Sequence, residues 1–159
     1  TARLVLGSSA SLPFGDGEFS AVTVITAPAN LAEVFRVLRP GGRLLLFCPN
    51  RWYPVEQHGA YWRGRYVFGN IPLINYLPDA LRNRLAPHVR TYTAHGLRRI
   101  MSGLPLRILS HTRIFGAYDN LIYRFGPLGR GLRAALQGAE STPLNIVGLS
   151  HWLVAERIG

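Results

Sequence analysis

An α/β fold with a parallel sheet is predicted by three features of the first fifty residues. Ala21–Ile25 is a continuous β-branched run, which is typical of a strand that is covered on both faces. Apolar residues between positions 31 and 38 recur at the spacing of one helical face, and the Pro-Gly-Gly at 40–42 ends that helix. Arg43–Cys48 is a second apolar run and therefore a central strand. A strand, a helix and a strand with short joints indicate a parallel βαβ unit with a right-handed crossover.

The remaining elements follow from apolar periodicity and from chain breakers. Leu4–Leu6 is a short apolar run that we expect to form a buried strand. Arg51–Pro78 is rich in aromatics, glycine and proline, and we expect a long connection with short helical turns. The later predicted elements are helices over Asp79–Leu85 and Ala94–Ser102, a strand over Leu106–Ile114, helical pieces within Leu121–Leu136 broken at Gly126-Pro127, and a strand over His151–Ile158.

Length and composition are those of one globular domain covering residues 1–159. Apolar residues make up 48% of the chain and charged residues 16%, which excludes a disordered chain. The single cysteine, Cys48, excludes an internal disulfide and fits a reducing, cytoplasmic location. Because Cys48 lies in an apolar strand, we interpret it as a small buried hydrophobe rather than a nucleophile.

The formal net charge is +10, and the chain contains arginine but no lysine. This excess favours an anionic partner, such as a phospholipid surface, a nucleic acid or an acidic small molecule. A dedicated nucleic-acid protein usually concentrates its basic residues on one face, whereas these arginines are scattered, so we do not expect nucleic acid. No apolar stretch approaches the roughly 18 residues that span a bilayer.

One combination of motifs resembles a known family. Leu12-Pro13-Phe14 is followed by Gly15-Asp16-Gly17, a strand, and then Arg36–Arg43 with its Pro-Gly-Gly before a buried strand. The combination resembles the class I S-adenosylmethionine-dependent methyltransferases of the methyltransferase type 11 family, and Pro49–Pro54 and Phe115–Asn120 extend the likeness. The resemblance implies a partial Rossmann-like sheet with the equivalents of strands 3, 4, 5, 6 and 7 of the family order 3-2-1-4-5-7-6. It also implies a helical and loop insertion before the last strand.

The resemblance also implies that the glycine-loop half of the fold has no counterpart here. Residues 1–50 would be a cofactor-side βαβ remnant, and residues 51–159 would supply the acceptor side and the C-terminal strands. A methyltransferase of this kind normally has a Glu-His stretch after its fourth strand, which is absent between Ile25 and Leu31. Strands without their usual neighbours expose edges, so we expect marginal stability or pairing into an oligomer.

S-adenosylmethionine is the cofactor that the resemblance implies, and four residues correspond to its adenine-side contacts. They are Ser8, Ser9, Leu12 and Phe14, with Ser8 standing where the family often has an acid. The alternative is structural: the serines form a plain turn, and the two apolar side chains belong to the core.

The acceptor side is predicted at the end of the central strand. Asn50, Arg51, Trp52 and Tyr53 follow its carboxyl end, the edge at which open α/β sheets bind ligands. Tyr118 and Asp119 are candidates to close over the acceptor. The alternatives are a structural loop for the first group and a turn for the second.

Glu56 and His58 are the candidate catalytic pair. A carboxylate beside an imidazole can act as a general base toward a hydroxyl or amine acceptor. The alternative is a hydrogen bond that orders the loop. We predict no metal site, because only two ligand types lie close together in the sequence.

The predicted function is that of a truncated S-adenosylmethionine-dependent methyltransferase acting on a small-molecule or lipid-like acceptor, which can be anionic. One alternative is a non-catalytic remnant or a half that depends on a partner. A second alternative is a basic module that binds a membrane surface or nucleic acid. The aromatic, aliphatic and arginine residues of Tyr66–Leu85 would suit peripheral membrane contact or a lipid-like acceptor. Of the two interpretations we favour the other, a substrate lid packed on its own domain.

Overall fold

The computed structural model describes residues 4–25 and 30–159, and within these ranges it contains eight strands and four helices. The strands are β1 (Phe19–Ile25), β2 (Leu38–Pro49), β3 (Val55–Glu56), β4 (Ala60–Trp62), β5 (Arg65–Val67), β6 (Ile71–Pro72), β7 (Leu106–Ile114) and β8 (Ser150–Arg157). The helices are α1 (Leu31–Val37), α2 (Asp79–Leu85), α3 (Ala94–Met101) and α4 (Asp119–Gly138). Short 3-10 turns cover Ile74–Tyr76, Ala139–Ser141 and Pro143–Val147.

The chain divides into two compact units, which are described separately. The first contains Thr1–Cys48, Ala94–His111 and Trp152–Gly159, and the second contains Pro49–Thr93 and Thr112–His151. The assignment of residues 1–159 to a single domain remains a prediction.

A four-stranded sheet organises the first unit, and its order is β1-β2-β8-β7. β1 and β2 are parallel, with paired positions running from Ala21↔Arg43 to Ile25↔Phe47. The order is the 4-5-7-6 part of the predicted family sheet, and α1 supplies the predicted crossover. The bounds of α2 and β7 also agree with the prediction.

The strand predicted at Leu4–Leu6 does not form. This segment has no strand structure, and Leu4 and Leu6 are 99% and 100% exposed. A three-residue run gains little burial unless neighbouring strands cover it, and no described strand pairs with it. The expectation that β1 is covered on both faces is also wrong, because β1 is an edge strand in which Ile25 is 62% exposed.

The core of the first unit is apolar and is built from one face of each element. β2 alternates buried and less buried positions, which places its buried side chains on one face. The buried apolar residues of these elements are Val24 of β1, Val34 and Val37 of α1, Leu38, Leu44, Leu46 and Cys48 of β2, Leu97 and Met101 of α3, and Leu153 and Ala155 of β8. Burial raises the pKa of the Cys48 thiol to about 12, as expected of a buried hydrophobe rather than a nucleophile.

Arg157, at the end of β8, ties the end of α1 to the sheet. Its Nη1 donates to the carbonyl oxygens of Phe35 at 2.9 Å, Arg36 at 3.3 Å and Leu38. Its guanidinium also lies 4.2 Å from the centre of the Phe35 ring. The carbonyls of Phe35 and Arg36 belong to the last turn of α1, where a cation is favoured by the helix dipole and by unsatisfied acceptors.

The connection over residues 51–78 is more ordered than the predicted long loop. β3 pairs with β6 and β4 pairs with β5, both antiparallel, so the second hairpin is nested inside the first. These strands are two or three residues long. Elements this short have too few residues to show a period of two, which explains why the sequence did not predict them.

Helix α4 is sharply kinked at Gly126, where a break was predicted. Gly126 has φ 53° and ψ −123°, and Pro127 follows it. Asp119 and Arg133 form an ion pair at 2.7 Å, although 14 residues of straight helix would separate them by roughly 21 Å. Within residues 4–25 and 30–159, no helix combines the length and the apolar character needed to cross a bilayer.

The interior of the second unit is largely polar. Its buried apolar side chains are Ala60, Ile74 and Ala86. Its buried polar residues are Asn50, Glu56, Asn75, Arg82, Ser150 and His151. Because buried polar groups are costly unless they are hydrogen-bonded, this unit depends on specific polar contacts.

We predict that Arg157→Met destabilises the protein by about 2–3 kcal/mol, because several charge-assisted hydrogen bonds to α1 are lost while the apolar stem remains. Arg107→Met is the matched control, since the guanidinium of Arg107 is mostly exposed and pairs with Glu156 at 2.9 Å. This control should cost about 1 kcal/mol or less. Denaturant unfolding measures both free energies, and equal losses would contradict the capping role of Arg157.

Candidate functional site

The predicted adenine-side segment of the first unit is held by two side chains of α1. Glu33 accepts a hydrogen bond from the backbone N–H of Leu12 at 2.9 Å. Arg36 donates to the carbonyl oxygens of Leu12 at 3.1 Å and Phe14 at 2.8 Å. The backbone of this segment is therefore fixed by the helix that follows β1.

Glu33 and Arg36 also form an ion pair at 2.8 Å, which Asp16 joins at 2.7 Å. The hydrogen bond from Arg36 is the main reason why the pKa of Glu33 falls from 4.5 to about 2, and the bond from Leu12 adds to it. The same carboxylates raise the pKa of Arg36. Glu33 and Arg36 are thus charged at neutral pH.

The side chains of residues 8–14 that a ligand can contact match only one part of S-adenosylmethionine, its adenine ring. Ser8 and Ser9 are exposed, and Leu12 and Phe14 are half-buried. The Phe14 ring packs edge-to-face on Phe19 with 4.9 Å between the ring centres. Apolar side chains beside small polar residues suit an adenine ring. The resemblance assigns the methionine and ribose contacts to strands that have no counterpart in this sequence.

Asn50 ends β2 and is buried in the second unit. Its amide donates to the carbonyl oxygens of Ile146 at 2.9 Å and Gly148 at 2.7 Å. Its side-chain oxygen accepts from the N–H of Trp52 at 3.1 Å. These bonds use both donors and one acceptor site of the side chain, which leaves one acceptor site for a ligand. The main role of Asn50 is therefore to hold the loop.

Arg51 lines a cavity of about 380 Å³ in the second unit. Its guanidinium donates to the carbonyl oxygen of Leu77 at 2.5 Å and pairs with Asp79 at 2.9 Å. Arg90 and Tyr92 line the same cavity. The volume suits a small molecule, and the lining carries more positive than negative charge.

Aromatic side chains flank this loop. The hydroxyl of Tyr118 donates to the hydroxyl of Tyr53 at 3.2 Å. Burial, and then the contact with Tyr118, raise the pKa of Tyr53, so its hydroxyl stays protonated. Trp52 lies 6.2 Å from Tyr76 between ring centres. Asp119, predicted to contact the acceptor, instead pairs with Arg133.

Glu56 is almost fully buried and forms an ion pair with Arg82 at 3.1 Å, with side chains 2% and 1% exposed. Arg82 also donates to the carbonyl oxygens of Ala86 at 3.5 Å and Val89. Burial lowers the pKa of Arg82, and the charge of Glu56 opposes this effect. The pair therefore links the strand that carries Glu56 to the chain after α2.

His58 contacts the other oxygen of the Glu56 carboxylate. Its Nδ1 and its backbone N–H each lie 3.0 Å from Oε1 of Glu56. The ring of His58 is half-exposed. A carboxylate at Nδ1 favours the tautomer that carries its proton there, which leaves a lone pair on Nε2. Glu56 thus orients the imidazole, and His58 is the member of the pair that a ligand can reach.

The second unit contains all the predicted acceptor-side residues, and three pairs of them are in contact: Asn50 with Trp52, Tyr53 with Tyr118, and Glu56 with His58; Arg51 and Asp119 also lie in this unit. The predicted cofactor-side residues lie in the first unit. Sequence reasoning missed Arg82, the partner of Glu56. Arg82 follows Leu81 in a short helix, and hydropathy favours burying the leucine, yet Leu81 is exposed. Nothing in the sequence indicates this inversion.

Curated relatives of the chain are methyltransferases. A demethylmenaquinone methyltransferase of Beutenbergia cavernae is 37% identical over 95 residues, which cover 50% of this chain and 40% of that protein. A 23S rRNA (guanine(748)-N(1))-methyltransferase of Streptomyces fradiae is 31% identical over 96 residues, which cover 60% of this chain and 31% of that protein. The chain thus spans less than half the length of these relatives. No protein-family model matches it, so the type 11 assignment remains a prediction.

A solved structure confirms the predicted fold. A SAM-dependent methyltransferase of Methanosarcina mazei aligns with a TM-score of 0.54 and 13% identity, covering 96% of this chain and 65% of that one. The chain therefore has the fold of part of a class I, Rossmann-like methyltransferase. The resemblance to methyltransferases that the sequence motifs indicated is confirmed by the relatives.

We predict that Glu33 stabilises the protein only above acidic pH. Its pKa is lower in the folded protein than the ordinary 4.5, so its contribution is complete above pH 4.5 and is lost as pH falls toward about 2. The melting temperature of Glu33→Gln should therefore lie below that of the wild type at pH 7, and the difference should shrink across this window. Thermal unfolding at several pH values measures it, and a constant difference down to pH 2 would contradict the ion-pair assignment.

We predict that Glu56→Gln costs about 3–5 kcal/mol, because it leaves the buried Arg82 charge without its partner. Adding Arg82→Met should recover part of this loss. Asp79→Asn is the matched control, since it breaks an ion pair whose carboxylate is exposed, and it should cost about 1 kcal/mol or less. Denaturant unfolding of Glu56→Gln, Arg82→Met, the double variant and the Asp79→Asn control completes the cycle, and additive losses at Glu56 and Arg82 would contradict the coupling.

Proposed function

We propose that this chain supplies the acceptor side of an S-adenosylmethionine-dependent methyltransferase that acts in the cytoplasm on a small, ring-bearing acceptor. The observation that carries the proposal is the sheet order β1-β2-β8-β7 with a polar, aromatic loop at the end of β2. Parallel α/β sheets bind ligands beyond the carboxyl ends of their strands. The methyltransferase relatives support the reaction class.

S-adenosylmethionine, when bound, supplies an electrophilic methyl group. On this chain the apolar faces of Leu12 and Phe14 would lie against its adenine ring, with Ser8 and Ser9 beside it. Methyl transfer depends mainly on holding the acceptor in line, which is the task of the fixed loop after β2. Asn50 fixes that loop.

His58 is the proposed proton acceptor. Glu56 holds its Nδ1, so Nε2 can take the proton that the acceptor loses when its new bond to the methyl carbon forms. Arg82 places a positive charge 3.1 Å from the other oxygen of Glu56, which holds the carboxylate in place. In this arrangement Glu56 and Arg82 are positioning residues, and His58 is the catalytic residue.

The acceptor class is proposed from the side chains near the strand end. Trp52, Tyr53 and Tyr118 offer ring faces and hydroxyls, and the cavity beside Arg51 has the volume of a small molecule. An aromatic ring with an acidic hydroxyl matches this set. The name of the Beutenbergia cavernae relative, a demethylmenaquinone methyltransferase, supports a quinone-type acceptor. The scattered arginines weigh against RNA, the substrate in the name of the Streptomyces fradiae relative.

A second candidate is a half-enzyme that needs a partner or further chain. This candidate is favoured because the first unit fits only part of S-adenosylmethionine. Its described residues provide a surface for adenine but no glycine loop. Titration calorimetry of the 159-residue chain with S-adenosylhomocysteine separates the two candidates. Saturable binding supports a complete pocket. If S-adenosylhomocysteine binds only to a longer gene product that contains this chain, cofactor binding depends on residues outside the 159.

We predict that His58→Gln lowers kcat for methyl transfer by about 10²–10⁴-fold, the range typical of general-base catalysis. The assay follows transfer of labelled methyl from S-adenosylmethionine to a reduced demethylmenaquinone analogue, using the chain or the longer product that binds cofactor. His95→Gln is the matched control, because His95 is an exposed imidazole on α3 and should leave kcat unchanged. The KM for S-adenosylmethionine should not change in either variant.

An unchanged kcat in His58→Gln would show that His58 is not the general base, and it would not affect the fold assignment. Transfer to RNA but not to the quinone analogue would overturn the acceptor class. Absence of both cofactor binding and methyl transfer in every product that contains the chain would overturn the proposed activity itself.

A further inference from the structure

We propose that residues 61–68, the hairpin tip, dock the protein onto an anionic phospholipid bilayer. The hairpin tip comprises the end of β4, the turn, β5 and Phe68. All eight residues are exposed, and Trp62 and Phe68 are 63% and 79% exposed. A contiguous run of exposed large apolar side chains marks an interaction surface, whereas single exposed apolar residues need no explanation.

The charge of the hairpin tip is positive. Arg63 and Arg65 lie beside Trp62, and the sequence has no acidic residue between Glu56 and Asp79. Within residues 4–25 and 30–159, neither guanidinium has a carboxylate oxygen within 4.0 Å. These cations are therefore available to a partner that brings negative charge.

The turn holds its arginine in an unfavourable conformation. Trp62 pairs with Arg65, so the two intervening residues form the loop, and both have positive φ, 48° at Arg63 and 78° at Gly64. Such turns prefer asparagine, aspartate or glycine at the first position, because a larger side chain is strained there. A strained arginine at the outermost point of a hairpin is consistent with a side chain that acts on a partner.

The base of the hairpin is held rigidly. The hydroxyl of Tyr66 donates to the carbonyl oxygen of His58. The rings of Tyr61, Tyr66 and His88 pack together, with centres 5.3 to 6.4 Å apart. Tyr61 and Tyr66 therefore tie the hairpin tip to His58 and His88, so little ordering entropy is lost when the tip docks.

A phospholipid surface matches this combination better than other partners do. Tryptophan, tyrosine and arginine side chains are favoured in the headgroup region, where rings meet the acyl boundary and guanidinium groups meet phosphate. A second copy of the chain would bring the same positive tip, and like charges would repel. The net charge of +10 also attracts the whole protein to an anionic surface.

Vesicle flotation of the wild-type chain tests this docking, with phosphatidylcholine alone and with added phosphatidylglycerol. We expect binding to the anionic vesicles that weakens at high salt. Arg63→Glu/Arg65→Glu should reduce the partition coefficient at least tenfold, since each basic residue near the surface contributes strongly. Arg124→Glu/Arg130→Glu is the matched control, because it removes the same charge from exposed arginines of α4 and should cause a much smaller loss.

Trp62→Phe supplies a second readout that does not change the charge. Tryptophan fluorescence of the wild type should be quenched by brominated acyl chains, and Trp62→Phe should lose most of that quenching. Failure of the wild type to bind anionic vesicles would overturn the proposal. So would equal losses in the two arginine variants, or quenching that persists in Trp62→Phe. Membrane docking requires no methyl transfer. The docking proposal can therefore fail while the proposed enzyme activity stands, and the proposed activity can fail while docking stands.

Discussion

The amide of Asn50 is the constraint on which the second unit depends. It closes the polar end of β2 by holding the carbonyl oxygens of Ile146 and Gly148, while its oxygen directs the chain toward Trp52. The backbone of Asn50 and its successor adds bonds to Leu149 and Tyr92. Two segments that are about a hundred residues apart in the chain therefore meet at one side chain. A buried amide of this kind fixes position through geometry, because each bond has a required direction.

The two units are stabilised by different physics. The first buries aliphatic faces of a sheet and two helices, and such packing tolerates changes that preserve volume. The second buries a carboxylate, a guanidinium and two amides among few apolar side chains. Polar interiors tolerate fewer substitutions, because the loss of one partner leaves the other buried without a hydrogen bond or an opposite charge. The same contacts that make this unit sensitive also hold His58 and Tyr53 in defined orientations.

Apolar runs and chain breakers predicted the longer regular elements, although the strand predicted at Leu4–Leu6 does not form. The bounds of α2 and β7 agree with the prediction, and the order of the sheet is the one that the resemblance to methyltransferases implied. The nested hairpins between 55 and 72 were missed, since each strand is defined by its partner and not by its own sequence. The contact of Glu56 with His58 was anticipated from their spacing. Arg82 could not be, because its burial is dictated by a carboxylate distant in the chain.

The position of β8 in the sheet has a consequence for biosynthesis. β8 is the last of the four strands along the chain, yet it lies between β2 and β7. Until its residues leave the ribosome, both of those strands lack an inner neighbour and expose unpaired backbone. Domains generally begin to fold from the N-terminus as they are made, at about 5–20 residues per second. Several seconds therefore separate the emergence of β2 from that of β8, an interval in which the nascent sheet is a target for chaperones.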